Sequence, residues 1–321
     1  MKLSQQSIAK IGKDWTGRAK IDYIANGNTE AQSGPQKSIK NLGEYFMQMK
    51  TAYGKVTFRI WAASLAIMAM LILLGNAYAE TPQQVVDLQT RSGVTQRMVV
   101  LAPPEPKATV ILFSGGDGGL NIQPDGTLKR GKGNFLVRTR QLFADQGFLV
   151  AVVDTPSDRQ DFPYLQGFRQ TSEHVTDIKA VIAWARSQAK VPVWLVGTSR
   201  GTQSAAYVAT ELSSGADGPD GLVLTSTILT DKKDRPVPSM PLDRLHIPVI
   251  VAHHKDDGCK FCAYSRVPAM MDKLTNATRK QLLTFSGGES KDDPCESYSY
   301  HGYNGIEADV VSQVSAAILQ K

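Results

Sequence analysis

Val191-Pro192-Val193-Trp194-Leu195-Val196-Gly197-Thr198-Ser199-Arg200-Gly201 is the stretch that decides the fold. Its first half is a short apolar run, of the kind that forms a strand buried on both faces. The residues after it, Thr202 to Leu212, are compatible with a helix. Between the two, Gly197-x-Ser199-x-Gly201 reads as a sharp strand-to-helix turn that lifts a serine hydroxyl out of a sheet. The glycines let the chain pass through that turn without a side-chain clash. The free N–H groups that open the helix then point toward the serine. The five-residue pattern is common by itself; the strand before it and the helix after it make Ser199 a candidate nucleophile.

Outward from this stretch, strand-like and helix-like segments alternate. Arg97–Leu101, Thr109–Phe113, Phe148–Val153, Gly221–Thr225, Pro248–His253 and Leu282–Phe285 read as strands. Phe135–Gln146, His174–Lys190, Val267–Leu274 and Ile306–Leu319 read as helices. In the second helix Val175, Ile178, Ile182 and Ala185 recur at helical spacing, and Pro268 fits the opening turn of the third. The alternation predicts an α/β fold, a doubly wound, mostly parallel sheet with helices on both faces. The longest segments without clear structure, 114–133, 154–170 and 226–246, are too short for a cap domain. A site at Ser199 is therefore expected to be open or covered only by loops, with Asp158, Arg159, Asp161, Phe162 and Tyr164 as candidates for its mouth.

The charge is unevenly placed. The chain carries +6 at neutral pH, and residues 1–79 hold 10 of its 36 Lys and Arg but only 4 of its 30 Asp and Glu. Residues 80–321 are therefore balanced, which excludes a global field that would attract nucleic acid. Ile60–Gly75 is free of charge, follows Lys50, Lys55 and Arg59, and precedes Ala77-Tyr78-Ala79. A basic flank, an apolar core and an A-x-A site read as a signal peptide cut after Ala79, with an uncleaved membrane anchor as the alternative. Residues 47–79 are taken as that leader, with Met47 or Met49 as the expected start. Residues 1–46 are a polar extension, either disordered or upstream of the true start. Residues 80–321 suit a single α/β domain, expected in the periplasm or outside the cell.

A serine nucleophile needs a base, and the base needs an orienting acid. After Ser199 the histidines fall at His246, His253 and His254, and at His301. Asp256 and Asp257 follow the strand 248–253, and His301 follows the strand 282–285. With Gly197-Thr198-Ser199-Arg200-Gly201, His253-His254-Lys255-Asp256-Asp257 and His301-Gly302-Tyr303 in this order, the chain resembles the α/β-hydrolase family over about residues 95–321. The resemblance implies Ser199 as nucleophile, Asp257 as acid, Asp256 as the alternative acid, and His301 as base. In that family the acid lies about three residues past a glycine, and here His254 stands in that glycine's place. The resemblance also implies an oxyanion hole. One donor is the N–H of Arg200, and the other comes from Ser114-Gly115-Gly116-Asp117-Gly118-Gly119, with Gly116 assigned and Asp117 as the alternative. That loop lacks the Gly-Lys-Ser/Thr ending of a phosphate cradle.

The three cysteines fit the same arrangement. If Asp257 and His301 meet, Cys259 and Cys295 come close with them, and an exported protein can keep such a disulfide. Cys259–Cys295 with Cys262 free is the expected pairing; Cys262–Cys295 is the alternative. A metal reading competes, because His253, His254, Asp256, Asp257, Cys259 and Cys262 crowd together, but no second ligand pair stands at suitable spacing. His174 and His246 are expected to be structural or solvated. The function expected is hydrolysis of an ester, or of a thioester or peptide, in a small acyl substrate, without a cofactor or metal. A non-catalytic binding module on the same fold is the alternative.

Overall fold

A computed structural model describes residues 12–13, 19–20 and 80–320, apart from Ser214 and Asp292. The readings of residues 1–46 and 47–79 lie outside the described residues, except for a two-residue antiparallel pairing of Gly12–Lys13 with Ala19–Lys20. The unit Ala77–Lys321 carries the fold. Among the described residues no helix is long and apolar enough to cross a membrane.

The strands are β1 (Gln83–Arg91), β2 (Val94–Leu101), β3 (Ala108–Phe113), β4 (Phe148–Pro156), β5 (Val193–Thr198), β6 (Gly221–Thr225), β7 (Val249–His254) and β8 (Lys280–Phe285). They form one sheet in the order β8-β7-β6-β5-β3-β4-β2-β1. All pairs from β8 to β4 are parallel; β2 runs antiparallel to both β4 and β1. The order of connection reverses beside β3 and β5, and in open α/β sheets the crevice at such a point is where ligands bind.

The helices are α1 (Phe135–Arg138), α2 (Arg140–Asp145), α3 (Ser172–Gln188), α4 (Gly201–Glu211), α5 (Val267–Asp272) and α6 (Glu307–Leu319). Because strand side chains alternate between faces, β3 sends Ile111 and Phe113 to one core and Val110 and Leu112 to the other. On the first face Ile178, Val181, Ile182 and Ala185 of α3 pack with Ala205, Ala206, Val208 and Ala209 of α4 and with Val267 and Met270 of α5. On the second face α1, α2 and α6 supply Phe135, Phe143, Val310, Val311 and Val314. The doubly wound arrangement thus follows from central strands, Ala108–Phe113 and Val193–Thr198 among them, that are buried on both faces and apolar at nearly every position. Leu195 and Leu224 are fully buried, and truncating either to Ala would cost about 2–5 kcal/mol.

Three expectations are corrected. The helix expected over Phe135–Gln146 is broken at Thr139, whose Oγ1 donates to Phe135 O at 2.7 Å; such back-bonding to the preceding turn bends helices. Strand β1 has no counterpart in the sequence reading. It is an edge strand, half-exposed and rich in Gln, so it lacks the apolar run that marked the others. In α3, Val175 is only half-buried, and His174 and Asp177 occupy the buried face instead. Asp177 is held there by Arg91 Nε at 2.8 Å, which ties α3 to β1.

Candidate active site

Ser199 occupies the turn between β5 and α4 with φ +51°, in the left-handed region. A non-glycine residue there costs about 1–3 kcal/mol and persists only where its surroundings hold it. Its N–H donates to Thr225 O at the end of β6 (3.1 Å), and its carbonyl accepts from Thr202 N–H (2.9 Å) and Thr202 Oγ1 (2.6 Å). Both glycines are required by close approach. A Cβ on Gly197 would lie 2.5 Å from Gly201 O, and one on Gly201 would lie 2.1 Å from Phe113 O. Helix α4 therefore sits directly on the end of β3, and the loop leaving β3 arrives beside the serine.

In that loop a Cβ on Gly115 would meet Ser199 Cβ at 3.0 Å, whereas one on Gly116, at φ +60°, would enter open space. Among the described residues the N–H groups of Gly116 and Arg200 donate to no protein acceptor. Both residues line a cavity of about 530 Å³ together with Ser199 and His301. Two free backbone donors beside a nucleophile can bind a developing oxyanion. Asp117, the alternative donor, lies in the same loop, and its carboxylate pairs with Arg130 at 2.7 Å.

The loop is anchored by a residue the sequence did not flag. Arg169 is buried at 2% exposure. Its Nη2 donates to Gly116 O (3.1 Å) and Ser114 O (3.3 Å), and its Nη1 donates to Ser204 Oγ on α4 (2.9 Å). It faces neutral acceptors rather than a carboxylate. Burial, and then the charge of Arg200, pushes the guanidinium down to about 10, still protonated at neutral pH. The residues expected at the mouth lie elsewhere: among the described residues Asp158, Arg159, Asp161, Phe162 and Tyr164 do not line the cavity. Asp158 pairs with Arg91 at 3.0 Å, and the Tyr164 ring fills the space beside Gly119.

On the other side the loops after β7 and β8 bring acid and imidazole together. Asp257 Oδ2 lies 2.9 Å from His301 Nδ1, with the carboxylate fully buried. Asp257 Oδ1 accepts from Cys259 N–H at 2.9 Å. A buried carboxylate on Nδ1 places the proton there and leaves Nε2 as the acceptor; among the described residues the buried Nε2 has no hydrogen-bond partner. Asp256, the alternative acid, is exposed. His301 is itself fixed: its carbonyl accepts from Ser226 Oγ at 2.6 Å. Tyr303 Oη donates to Ala252 O (2.7 Å) and accepts from Ser226 N–H (3.1 Å).

His254, in the place of the expected glycine, has a brace's geometry. Its Nε2–H donates to Gly287 O (2.9 Å), its Nδ1 accepts from Asp256 N–H (3.1 Å), and its ring stacks on Tyr300 at 4.6 Å. Both loops that carry acid and base are thus held by one imidazole. His253 Nε2 accepts from Thr227 N–H at 3.0 Å, and burial pushes the ring down to about 4. His174 is buried, and His246 is exposed.

Cys259 and Cys295 are joined in a disulfide with Cα atoms 4.5 Å apart, and Cys262 is free and buried. Burial pushes the Cys262 thiol up. Cys259, Cys262 and His301 put sulfur and nitrogen atoms within 4.8 Å of one another. With Cys259 bonded to Cys295, that group offers one thiol and one imidazole, fewer than the three or four protein ligands of a zinc site.

No family model and no curated protein matches the chain. Solved structures do. The chain is similar to an esterase of Pyrococcus furiosus (TM-score 0.52, 13% identity, 74% of this chain and 91% of that one). It is also similar to brefeldin A esterase, described as a bacterial homologue of human hormone sensitive lipase (TM-score 0.51, 12% identity, 75% and 78%). A third similar structure is a dienelactone hydrolase from Anabaena variabilis (TM-score 0.50, 12% identity, 75% and 96%). At these identities the likeness concerns the fold: the chain has the α/β-hydrolase fold, without a large cap.

Proposed function

We propose that the chain is a serine hydrolase that cleaves an ester or related acyl bond. The observation that carries this reading is the shared cavity. Ser199 and His301 line it, the His301 ring is held by Asp257 on one nitrogen, and its other nitrogen has no partner. Ser199 Oγ attacks the substrate carbonyl while His301 Nε2 takes its proton. The Gly116 and Arg200 N–H groups receive the oxyanion. The same imidazole then returns the proton to the leaving group, and water repeats the cycle on the acyl-enzyme. Asp257 stays ionised and balances the imidazolium. These steps draw on side chains and backbone alone.

The test is p-nitrophenyl ester hydrolysis by residues 80–321 beside Ser199→Ala. The expected outcome is a loss of about 10⁴-fold or more in kcat, with a fluorophosphonate labelling the parent and not the variant. Equal rates for the two proteins would sink the reading. A folded parent that takes no label would favour a binding module. We also propose export, with cleavage after Ala79; a disulfide of this kind persists outside the reducing cytosol. N-terminal sequencing of the secreted form should begin at Glu80, and a mature protein starting at Met1 or Met49 would remove the signal peptide.

A further inference from the structure

Beside the catalytic cavity lies a second hollow of about 500 Å³, and Arg200 and Phe261 line both. Arg200 adjoins Ser199 in sequence, so the second hollow neighbours the first across this shared wall. Its other walls include Asp231, Lys232, Lys233 and Lys260. The three lysines are exposed, and among the described residues no carboxylate lies within ion-pair distance of their ammonium groups. The one buried acid there is already engaged. Asp231 accepts from Arg200 Nη1 (2.7 Å), Gln203 Nε2 (3.2 Å) and the backbone N–H of Lys233 (3.0 Å). Arg200 and Lys260 both lie against the Phe261 ring, at 5.8 and 5.2 Å from its centroid.

Residues 80–321 carry no net charge, so this concentration of cations is local. Gathering ammonium groups around one hollow costs mutual repulsion, which an anion in the hollow would relieve. The apolar ring gives the chain leading to that anion something to pack on.

We propose that this hollow is a subsite for the anionic end of the substrate: an ester whose acyl chain or alcohol ends in a carboxylate or a comparable anion. The inference rests on the serine hydrolase reading, because it names the substrate class of that site.

The experiment uses two matched pairs of esters. One pair carries a carboxylate or a methyl group at the end of the acyl chain; the other varies the end of the alcohol in the same way. The expected result is a higher kcat/KM for the anionic member of at least one pair. That anionic-to-neutral ratio should fall about tenfold in Lys232→Gln/Lys233→Gln/Lys260→Gln. It should also collapse near 1 M salt, where screening acts over about 3 Å. Removing Lys107, Lys190 and Lys273, three exposed lysines that line neither hollow, matches the change in net charge and should leave the ratio alone. Cleavage of both members of each pair at equal rates overturns the subsite and leaves the hydrolase reading standing. So does a ratio that falls equally with the distant lysines. Cleavage of no ester overturns that reading and the subsite with it.

Discussion

The glycine loop after β3 and the acid and base loops after β7 and β8 flank the same serine, yet they are held by different means. The acid–base side is closed by a covalent bond, Cys259–Cys295, and by hydrogen bonds from Ser226, Tyr303 and His254. On the glycine side the buried Asp154 carboxylate accepts from the backbone N–H groups of Leu120, Asn121 and Ile122. The stretch nearest Ser199 is held by one buried cation, Arg169, which grips the carbonyls of Ser114 and Gly116 and reaches α4 through Ser204. Glycines give that loop its close approach to Ser199 and cost it rigidity. A residue outside the loop has to restore the rigidity, and a guanidinium can hold several acceptors in fixed directions. The contrast makes the acid–base side tolerant of single losses in its supports and the Ser114–Gly116 stretch of the glycine side dependent on one side chain.

The largest effect that would break the comparison comes from the acid itself. Asp257→Asn removes the charge on His301 Nδ1 and favours the wrong tautomer, and kcat should drop about 10⁴-fold. Asp256→Asn should change it by less than about tenfold, because Asp256 is exposed and contributes only its backbone N–H to His254. A larger loss in Asp256→Asn than in Asp257→Asn would reverse the assignment of the acid.

Next in size is Arg169→Met. It strips three acceptors of their donor, two of them buried, the Ser114 carbonyl and Ser204 Oγ, so stability should fall by about 1–3 kcal/mol. In protein that remains folded, kcat should fall about 10²-fold with KM nearly unchanged, because the loop that presents an oxyanion donor loses its position. Arg169→Lys should recover part of kcat. An Arg169→Met enzyme that is less stable but has parental kcat would make this residue a core strut only, and the comparison would lose its functional half.

The third way to sharpen it is to cut the staple. The disulfide spans a sequence separation of 36, and in the chain-entropy model Cys295→Ser lowers stability by about 4 kcal/mol. Because Asp257, Tyr303 and His254 hold the loops independently of the bond, kcat at low temperature should change by less than about tenfold. Loss of activity in fully folded Cys295→Ser would show that the covalent link, rather than the hydrogen bonds, sets the distance between acid and base.

The two sides also differed in how far they could be read before folding. Ser199, Asp257, His301 and the cysteine pair stand in a chain order that carries meaning, and Val193–Thr198 and Thr109–Phe113 are apolar at nearly every position. The supports of the glycine loop carry no such pattern. Arg169 binds main-chain carbonyls, and any residue type can supply a carbonyl, so nothing in Ser114–Gly119 points to it across the sequence. It falls in 154–170, a segment whose sequence shows no periodic pattern that would assign it a buried face. The edge strand β1 escaped for a related reason: an exposed strand needs no apolar face, and Gln83–Arg91 shows little of one. Order along the chain pointed to the proposed chemistry, and burial revealed what holds those residues in place.

A smaller effect separates the two sides by pH, because each contains one histidine that burial pushes well below its ordinary value. Next to Arg169, His174 sits against Phe113 and Phe168 with both ring nitrogens unpartnered. Burial, then the charges of Arg169 and Arg91, pushes it down to about 3. Below the acid loop, burial pushes His253 down to about 4, against the pull of Asp257. Both folded values lie below the unfolded value of about 6.5. Unfolding therefore takes up protons, and stability is lost as pH falls from about 6.5 toward 4, by at most about 2.7 kcal/mol per pH unit for the two rings together. Above about 6.5 neither ring contributes a slope. His174→Leu removes one ring and its unpaired nitrogens while keeping an apolar fit to the two phenylalanines. Its stability advantage over the parent should widen steadily as urea titrations step from pH 7 toward pH 4. His253→Gln keeps an acceptor for Thr227 N–H and should flatten the same window, down only to about pH 4. If neither variant changes the slope, carboxylates alone govern acid unfolding, and the two rings take up protons in the folded state as readily as in the unfolded one. If only His253→Gln does, the guanidinium side is the more hydrated of the two, and Arg169 holds its loop in a wetter setting than its burial implies.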